Sequence, residues 1–209
     1  MLALLFVLAT TIASAKVEQI GALTEASVAN AVRSALDTGG LRVVGADGKP
    51  VCQIWFAKEI PTEAREVPGA SFAKIPEGTF VGVIHFQSQV TDFRGQPIKA
   101  GYYTLRYAIM MEDGNHQGVS PTKDFLLLCP ISEDKDPNSK WTAEQTIKMS
   151  RTAAGAAHPS VWSLVPVSDN KSLPKIKTNE HEHVILETTS KTKSGPLPVG
   201  LTVVGKTEG

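Results

Sequence analysis

Three apolar runs between Thr79 and Cys129 decide the fold of this chain. They read Thr79-Phe-Val-Gly-Val-Ile-His-Phe86, Gly101-Tyr-Tyr-Thr-Leu-Arg-Tyr-Ala-Ile-Met110 and Lys123-Asp-Phe-Leu-Leu-Leu-Cys129. Each run is rich in β-branched, aromatic or leucine residues, and Gly-, Asp- and Pro-containing segments separate them, which is typical of β-strands joined by turns. Because no helical segment lies between them to form a parallel crossover, we predict that the strands pair antiparallel.

The order of residues in the second run predicts which side of the sheet is buried. One face carries Tyr103, Leu105, Tyr107, Ile109 and Met111, and the other carries Tyr102, Thr104 and Arg106. Such alternation is expected of a strand that is buried on one side only. The first and third runs are apolar on both faces, so we expect other elements to cover them on both sides.

Five more strands and two helices are predicted outside this central region. The other strand runs are 41–46, 51–57, 159–167, 183–188 and 197–204. Asp47-Gly48 between the first two favours a hairpin. A periodic apolar pattern predicts a helix over 24–37, capped by Thr24 and ended at Gly39-Gly40, and Thr142 and Gln145 have capping-box spacing in a second helix over 141–150. Segments 59–78 and 169–180 are expected to be surface loops.

These elements predict a mainly β (α+β) fold: an antiparallel β-sandwich of about eight strands with two short covering helices. We expect a single domain over residues 16–209. The chain has 209 residues, 42% of them hydrophobic, and equal numbers of basic and acidic side chains, 21 of each. This composition is that of a folded protein, and a formal net charge of zero argues against a nucleic-acid partner.

Residues Met1 to Ala15 form an uncharged apolar stretch that ends in Ala13-Ser14-Ala15. This pattern predicts a signal peptide cleaved before Lys16, although no basic residue precedes the apolar core. The alternatives are a buried helix or an uncleaved N-terminal membrane anchor, but 15 residues are short against the ~20 that span a bilayer. We therefore expect a secreted or periplasmic protein with no membrane span after cleavage.

Cys52 and Cys129 are the two cysteines of the chain. In an exported protein they are candidates for a disulfide. Both also lie in strand-like runs beside apolar neighbours, so two buried free thiols explain their positions equally well.

Polar residues at the ends of the central runs are the first candidate for a ligand-binding site. They are Asp92, Arg94, Asp113, His116 and Asp124. Antiparallel neighbours bring alternate turns to the same end of a sheet, so some of these side chains are expected to converge. The alternative is that they hold turns in place.

His181-Glu-His183 is the second candidate, a metal site. Residues i and i+2 of a strand point the same way, so two imidazoles could bind one zinc or copper ion. Third ligands available in the sequence are His85, His116, His158 and several aspartates. Two solvent-facing histidines at the start of a strand are the alternative.

Asp134-Lys-Asp-Pro-Asn138 spaces oxygen ligands like the opening of a calcium loop. Ser139 replaces the glycine of the sharp turn, and Gln145 replaces the closing glutamate. A solvated loop before a helix cap is the alternative.

Four segments of the sequence resemble those of a known protein family. They are Lys49-Pro-Val-Cys-Gln-Ile-Trp-Phe-Ala-Lys58, Thr91-Asp-Phe-Arg-Gly-Gln-Pro-Ile-Lys-Ala-Gly-Tyr-Tyr-Thr-Leu-Arg-Tyr107, Gly114-Asn-His-Gln-Gly-Val-Ser-Pro121 and His158-Pro-Ser-Val-Trp-Ser-Leu164. Together they resemble a family of secreted β-rich proteins of environmental bacteria with no assigned activity. Ala100-Gly-Tyr-Tyr-Thr-Leu-Arg106 also resembles a strand start common in extracellular β-sandwich modules.

The sequence contains no Gly-x-Ser-x-Gly elbow, His-Glu-x-x-His pair or dinucleotide fingerprint. We therefore expect an exported, non-enzymatic binding or structural module, with no catalytic residue assigned. Its partner would be a small ligand, a glycan or an envelope protein. The alternative is a metal-binding protein or metal-dependent enzyme that uses His181 and His183.

Overall fold

The computed structural model describes residues 14–110 and 122–205 of the chain. Twelve strands lie in these residues, ten of which form one sheet. The ten are β1 (Lys16–Ile20), β2 (Gly40–Val44), β3 (Pro50–Phe56), β4 (Phe80–Phe86), β7 (Gly101–Ile109), β8 (Asp124–Pro130), β9 (Val161–Val165), β10 (Lys175–Thr178), β11 (Val184–Thr192) and β12 (Gly195–Val204). The short strands β5 (Val90–Thr91) and β6 (Pro97–Ile98) pair with each other.

The sheet is antiparallel throughout, with the strand order β1-β2-β3-β4-β7-β8-β9-β12-β11-β10. Its two edges, β1 and β10, approach each other, so the sheet is nearly closed and barrel-like. The predicted mainly β, antiparallel class is confirmed, whereas the eight-strand sandwich is wrong. All eight predicted strands exist and are contiguous in the sheet, and the two that were not predicted are its edges.

The main hydrophobic core lies on the inner face of this sheet. On β7 it contains Tyr103, Leu105, Tyr107 and Ile109, as the alternation predicted. The outer face of β7 is also buried, because Thr104 and Arg106 are covered by the segment that follows β8. The prediction that this strand is buried on one side only is therefore wrong, and Met111 lies outside the described residues.

A second, smaller core lies on the outer face, between the sheet and helix α2 (Ala143–Ala154). It contains Ala108, Leu127 and Val161, with Phe125 and Ile147 packed against them. The helix begins at the predicted capping box, in which Thr142 accepts from Gln145 N and the side chain of Gln145 accepts from Thr142 N. It ends at Gly155, which has a left-handed φ of 62°.

The N-terminal helix is shorter than the predicted 24–37. Helix α1 spans Asn30–Ala35, with Ala29 rather than Thr24 at its N-cap and no side-chain cap bond. Val28, Val32 and Leu36 are nevertheless buried against the main core, as the periodicity predicted. Because six residues make few intrahelical hydrogen bonds, this segment is held by its packing more than by helix propensity.

Segment 57–79 lies between β3 and β4 and contains no helix or long strand, as predicted for 59–78. It is not a surface loop as predicted, because Ile60, Phe72 and Ile75 are buried in the main core. Segment 169–180, also predicted to be a loop, instead contains the edge strand β10. Neither described helix is long and apolar enough to cross a membrane. Residues 1–13 of the predicted signal peptide lie outside the described residues.

Candidate functional site

Asp92 is fully buried and holds the turn between β5 and β6. Its Oδ1 accepts the backbone N–H groups of Arg94 (3.0 Å) and Gln96 (2.8 Å), and its Oδ2 accepts from the Gln96 side chain (2.8 Å). Oδ2 also accepts from the N–H of Val161 in β9 (3.2 Å). Burial raises the pKa of Asp92, and these donors oppose the shift. The side chain therefore fixes the turn to the sheet and does not face a ligand.

Asp124 is also fully buried and has a similar role at the start of β8. It accepts the N–H groups of Ser71 (2.6 Å) and Phe72 (3.1 Å) and the hydroxyl of Tyr107 (2.5 Å). Desolvation and the adjacent carboxylate raise the pKa of Tyr107. This carboxylate therefore attaches the long 57–79 segment to the sheet.

The predicted convergence of five polar residues is thus only partly visible. Asp92 and Asp124 are turned inward, and Asp113 and His116 lie outside the described residues. Arg94 lines a cavity.

That cavity, which we call the α2 pocket, has a volume of about 150 Å³ and lies between helix α2 and the outer face of the sheet. Its apolar wall is formed by Ala108, Ile109, Phe125, Ile147, Pro159 and Val161. Its polar lining residues are Glu77, Arg94, Thr146, Arg151 and His158. A cavity of this kind combines an apolar interior with a charged rim.

Helix periodicity positions one wall of the pocket. Ala143, Thr146, Ile147 and Arg151 line it from α2, at spacings that place them on one face of a helix. The facing wall is the outer side of β7 and β8, where Ala108 contributes only a methyl group. Because this side chain is small, space remains between the sheet and helix α2.

Among the described lining residues, the charges at the rim are predominantly positive. In the described part of the chain, the guanidinium groups of Arg94 and Arg151 make no ion pair with a carboxylate. Glu77, the acidic lining residue, accepts the N–H of Ile109 at 3.2 Å and has Arg65 Nη2 3.8 Å from its Oε2. The pocket therefore presents two arginines to solvent while its carboxylate has other partners.

The hydroxyl groups around the pocket are also engaged. Thr146 Oγ1 donates to the carbonyl of Thr142 at 2.9 Å, and the hydroxyl of Tyr107 donates to Asp124. Neither oxygen has a histidine beside it in these hydrogen bonds to act as a general base. Both hydroxyl groups therefore donate to acceptors within the protein.

Sequence reasoning missed most of this site. Arg151 lies in the last turn of α2, where a cation is favoured by the helix dipole alone, so its residue type gives no signal of a ligand. His158 was considered only as a third metal ligand. The spacing of Ala143, Ile147 and Arg151 was the available signal, but it does not reveal the space beneath the helix.

His181 and His183 lie in the turn between β10 and β11, and not in a strand. Asn179 Oδ1 accepts the N–H groups of both residues, at 3.0 and 2.9 Å, and Glu182 has a left-handed φ of 59°. The imidazole centroids are 5.7 Å apart, and the ring of His183 contacts Phe93 edge to face. They line a broad depression together with Asp47 and Lys49 of the β2–β3 turn.

Of the possible third ligands, the aspartate Asp47 lines the same depression, whereas two of the histidines lie elsewhere. His85 stacks on Tyr102 with a centroid distance of 4.0 Å, His158 lies at the α2 pocket, and His116 is outside the described residues. Over residues 14–110 and 122–205, no group of three or more His, Cys, Asp and Glu side chains is placed to hold a metal ion. The zinc or copper site stays a prediction from the sequence.

Asp134, the first position of the calcium-like loop, is occupied by a protein cation. Its carboxylate binds the guanidinium of Arg106, and both side chains are fully buried. Thr104 and Trp141 also donate to it. The calcium interpretation is therefore wrong, because an arginine holds the oxygens that the ion would need.

Cys52 and Cys129 are both buried free thiols. Cys52 belongs to the inner core, whereas Cys129 shares the outer face of β8 with Leu127. The strands β4 and β7 lie between β3 and β8, so the two residues are separated by about 14 Å along the sheet at about 4.8 Å per strand. A disulfide needs Cα atoms within about 7 Å, so the possible disulfide is corrected to two separate thiols.

No family model, curated protein or solved structure matches this chain.

Proposed function

We propose that the protein is an exported, non-enzymatic binding module whose ligand site is the α2 pocket. The observation that carries this proposal is an apolar cavity of about 150 Å³ whose lining includes two arginines that make no ion pair with any described carboxylate. An engineered apolar cavity of about this volume in another protein binds benzene. The ligand is therefore a small molecule whose apolar part is about the size of one ring.

The site is built on fixed elements, as a binding site requires. The capping box fixes the start of α2, and Asp92 connects the turn that carries Arg94 to β9. Export to the periplasm or the cell exterior is part of the proposal, and the signal-like sequence before Lys16 supports it. The engaged hydroxyls of Thr146 and Tyr107 support binding over catalysis.

Methyl-labelled NMR with toluene as a neutral probe tests the location of the site. We expect shifts at Val161 and Ile147, which line the pocket and belong to the outer-face core. Ala143→Trp should remove them by filling the cavity, because Ala143 lines it from the first turn of α2. Ala157→Trp is the matched control, since Ala157 is exposed and is not a lining residue.

The proposal is contradicted if toluene shifts no pocket methyl, or if Ala143→Trp leaves the shifts in place. The non-enzymatic part has a separate test, because robust turnover by the purified protein in a broad hydrolase screen would overturn it.

A further inference from the structure

The charges around the α2 pocket identify the chemical class of its ligand, an inference that rests on the function proposed above. We propose that the pocket binds a small monocarboxylate with an apolar body of about one ring, such as an aromatic carboxylate. The carboxylate would pair with Arg94 and Arg151, and the apolar body would contact Ala108, Phe125 and Ile147.

Arg94 is presented to the pocket by a turn that is itself held in place. The N–H of Arg94 and that of Gln96 both donate to Asp92 Oδ1, and Asp92 Oδ2 accepts from Val161 N in β9. The Gln96 side chain also donates to the carbonyl of Pro159 at 3.0 Å. The backbone that carries Arg94 is therefore fixed relative to Pro159 and Val161, two residues of the pocket wall.

Arg151 reaches the same pocket from a different element, the last turn of α2. Two guanidinium groups from separate elements, neither paired with a carboxylate in the described chain, create a positive rim. A guanidinium presents a planar pair of donors that matches the two oxygens of a carboxylate. An exposed His158 adds a third group that can donate to an anion when protonated.

The acidic lining residue does not offset this rim. Glu77 accepts from the backbone of Ile109 and lies beside Arg65, so its charge is partly compensated before any ligand enters. A cationic ligand would be repelled by both arginines, and a neutral ligand would gain only the apolar contacts. An anion with an apolar body is the class that uses both halves of the pocket.

The size and the polarity of the ligand are tested together by isothermal titration calorimetry with benzoate, benzamide and benzylammonium at low ionic strength. These three share one ring and differ in charge. We expect benzoate to bind about tenfold more tightly than benzamide, benzylammonium not to bind, and added salt to weaken benzoate alone. Inorganic phosphate should not compete with benzoate, because it has no apolar body.

Arg94→Gln and Arg151→Gln should each weaken benzoate binding, and the two together should remove its advantage of about tenfold over benzamide. The affinity for benzamide itself should stay near the wild-type value. Lys177→Gln, which removes an exposed positive charge on β10 far along the sheet from the pocket, is the control and should change neither. Circular dichroism verifies that each variant is folded.

Equal affinities for benzoate and benzamide, or benzoate binding that survives Arg94→Gln together with Arg151→Gln, would overturn the inference. If toluene still shifts the pocket methyls in that case, the proposed binding function stands without its anion preference. If toluene, benzoate and benzamide all fail to bind, both proposals are wrong. Competition by phosphate would assign the rim to a free inorganic anion and would also overturn the inference.

Discussion

Arg106 and Asp134 form a two-point ion pair in which Nε lies 2.8 Å from Oδ2 and Nη2 lies 2.6 Å from Oδ1, with both side chains 0% exposed. The remaining donors of Arg106 reach the carbonyls of four residues, Gly78, Asp136, Pro137 and Ser139. A buried pair of this kind is costly to break, because either group left alone is a desolvated charge. The pair connects β7 to the loop before α2, and so to the helix that forms one wall of the α2 pocket.

Asp134→Asn should lower the free energy of unfolding by about 3–5 kcal/mol, because it leaves the Arg106 guanidinium buried without its counter-charge. Urea denaturation measures this change. Glu18→Gln is the control, since Glu18 forms exposed pairs with Lys16 and Arg42 and its loss should have only a small effect. A loss for Asp134→Asn that is no larger than that of Glu18→Gln would contradict the prediction.

Asp92 should give the stability a defined pH dependence. Burial raises its folded-state pKa above the ordinary value of 3.8. The folded state therefore binds the Asp92 proton more tightly than the unfolded state does. Protonation of Asp92 consequently adds to the free energy of unfolding. This added stability is fully present below pH 3.8 and is lost as the pH rises through the folded-state pKa. The comparison is between wild type and Asp92→Asn, by urea denaturation from pH 3 to pH 7.

Asp92→Asn should itself destabilise the fold by about 1–3 kcal/mol, because an amide nitrogen would face the donors Gln96 Nε2 or Val161 N. The difference in stability between the two proteins should decrease as the pH rises. A difference that grows with pH, or that does not change, would show that the direction assigned to the Asp92 pKa is wrong.

The two cysteines should behave as isolated buried thiols. Burial raises the pKa of Cys52 to about 12 and also raises that of Cys129, so almost no thiolate is present at neutral pH. We expect no reaction with a thiol-specific disulfide reagent in the native protein at pH 8, and two reactive thiols after unfolding in urea without reductant. The absence of reactive thiols after unfolding would indicate a disulfide and contradict the structure.

The two strands of the ten-stranded sheet that the sequence did not predict share one physical property. Lys16–Ile20 and Lys175–Thr178 mix charged and apolar residues, and most of their side chains are only partly buried. An edge strand needs neither a continuous apolar run nor a fully covered face, so its pattern is weak. The eight inner strands carry strong patterns because neighbours lie on both sides of each, and these were predicted correctly.

The near closure of the ten-stranded sheet could not be predicted for the same reason. It depends on where β1 and β10 lie, and those two strands gave no usable signal. An eight-strand pattern without them is consistent with a sandwich as much as with a curved sheet.

For the candidate site, prediction from the sequence is limited by a different factor. The sequence placed Asp92 and Asp124 correctly at the ends of strands, but the direction of each side chain is decided by distant backbone donors, Val161 in one case and Ser71 and Phe72 in the other. Donors so far away in the chain cannot be identified without the fold. Arg94 was identified because it flanks the end of a central run, whereas the residue type of Arg151 gave no signal of a ligand.

Helix α2 offers the most direct link between a sequence motif and the proposed site. Thr142 Oγ1 accepts from Gln145 N at 3.2 Å, and Gln145 Oε1 accepts from Thr142 N at 2.9 Å. Thr142→Ala should cost about 1 kcal/mol of stability, because two N–H groups at the start of the helix lose their reciprocal arrangement. Thr142→Ser keeps the accepting hydroxyl and should retain most of the stability.

Because Ala143 follows this cap and lines the pocket, fraying of the first turn should also weaken the binding of a neutral ring. Toluene affinity measured by NMR should therefore fall for Thr142→Ala and remain near the wild-type value for Thr142→Ser. Thr152→Ala is the control within the same helix, since its hydroxyl contacts only the Lys148 carbonyl at 3.4 Å and Thr152 does not line the pocket. Equal losses of toluene affinity in Thr142→Ala and Thr152→Ala would mean that general helix stability, and not the cap beside Ala143, controls the pocket.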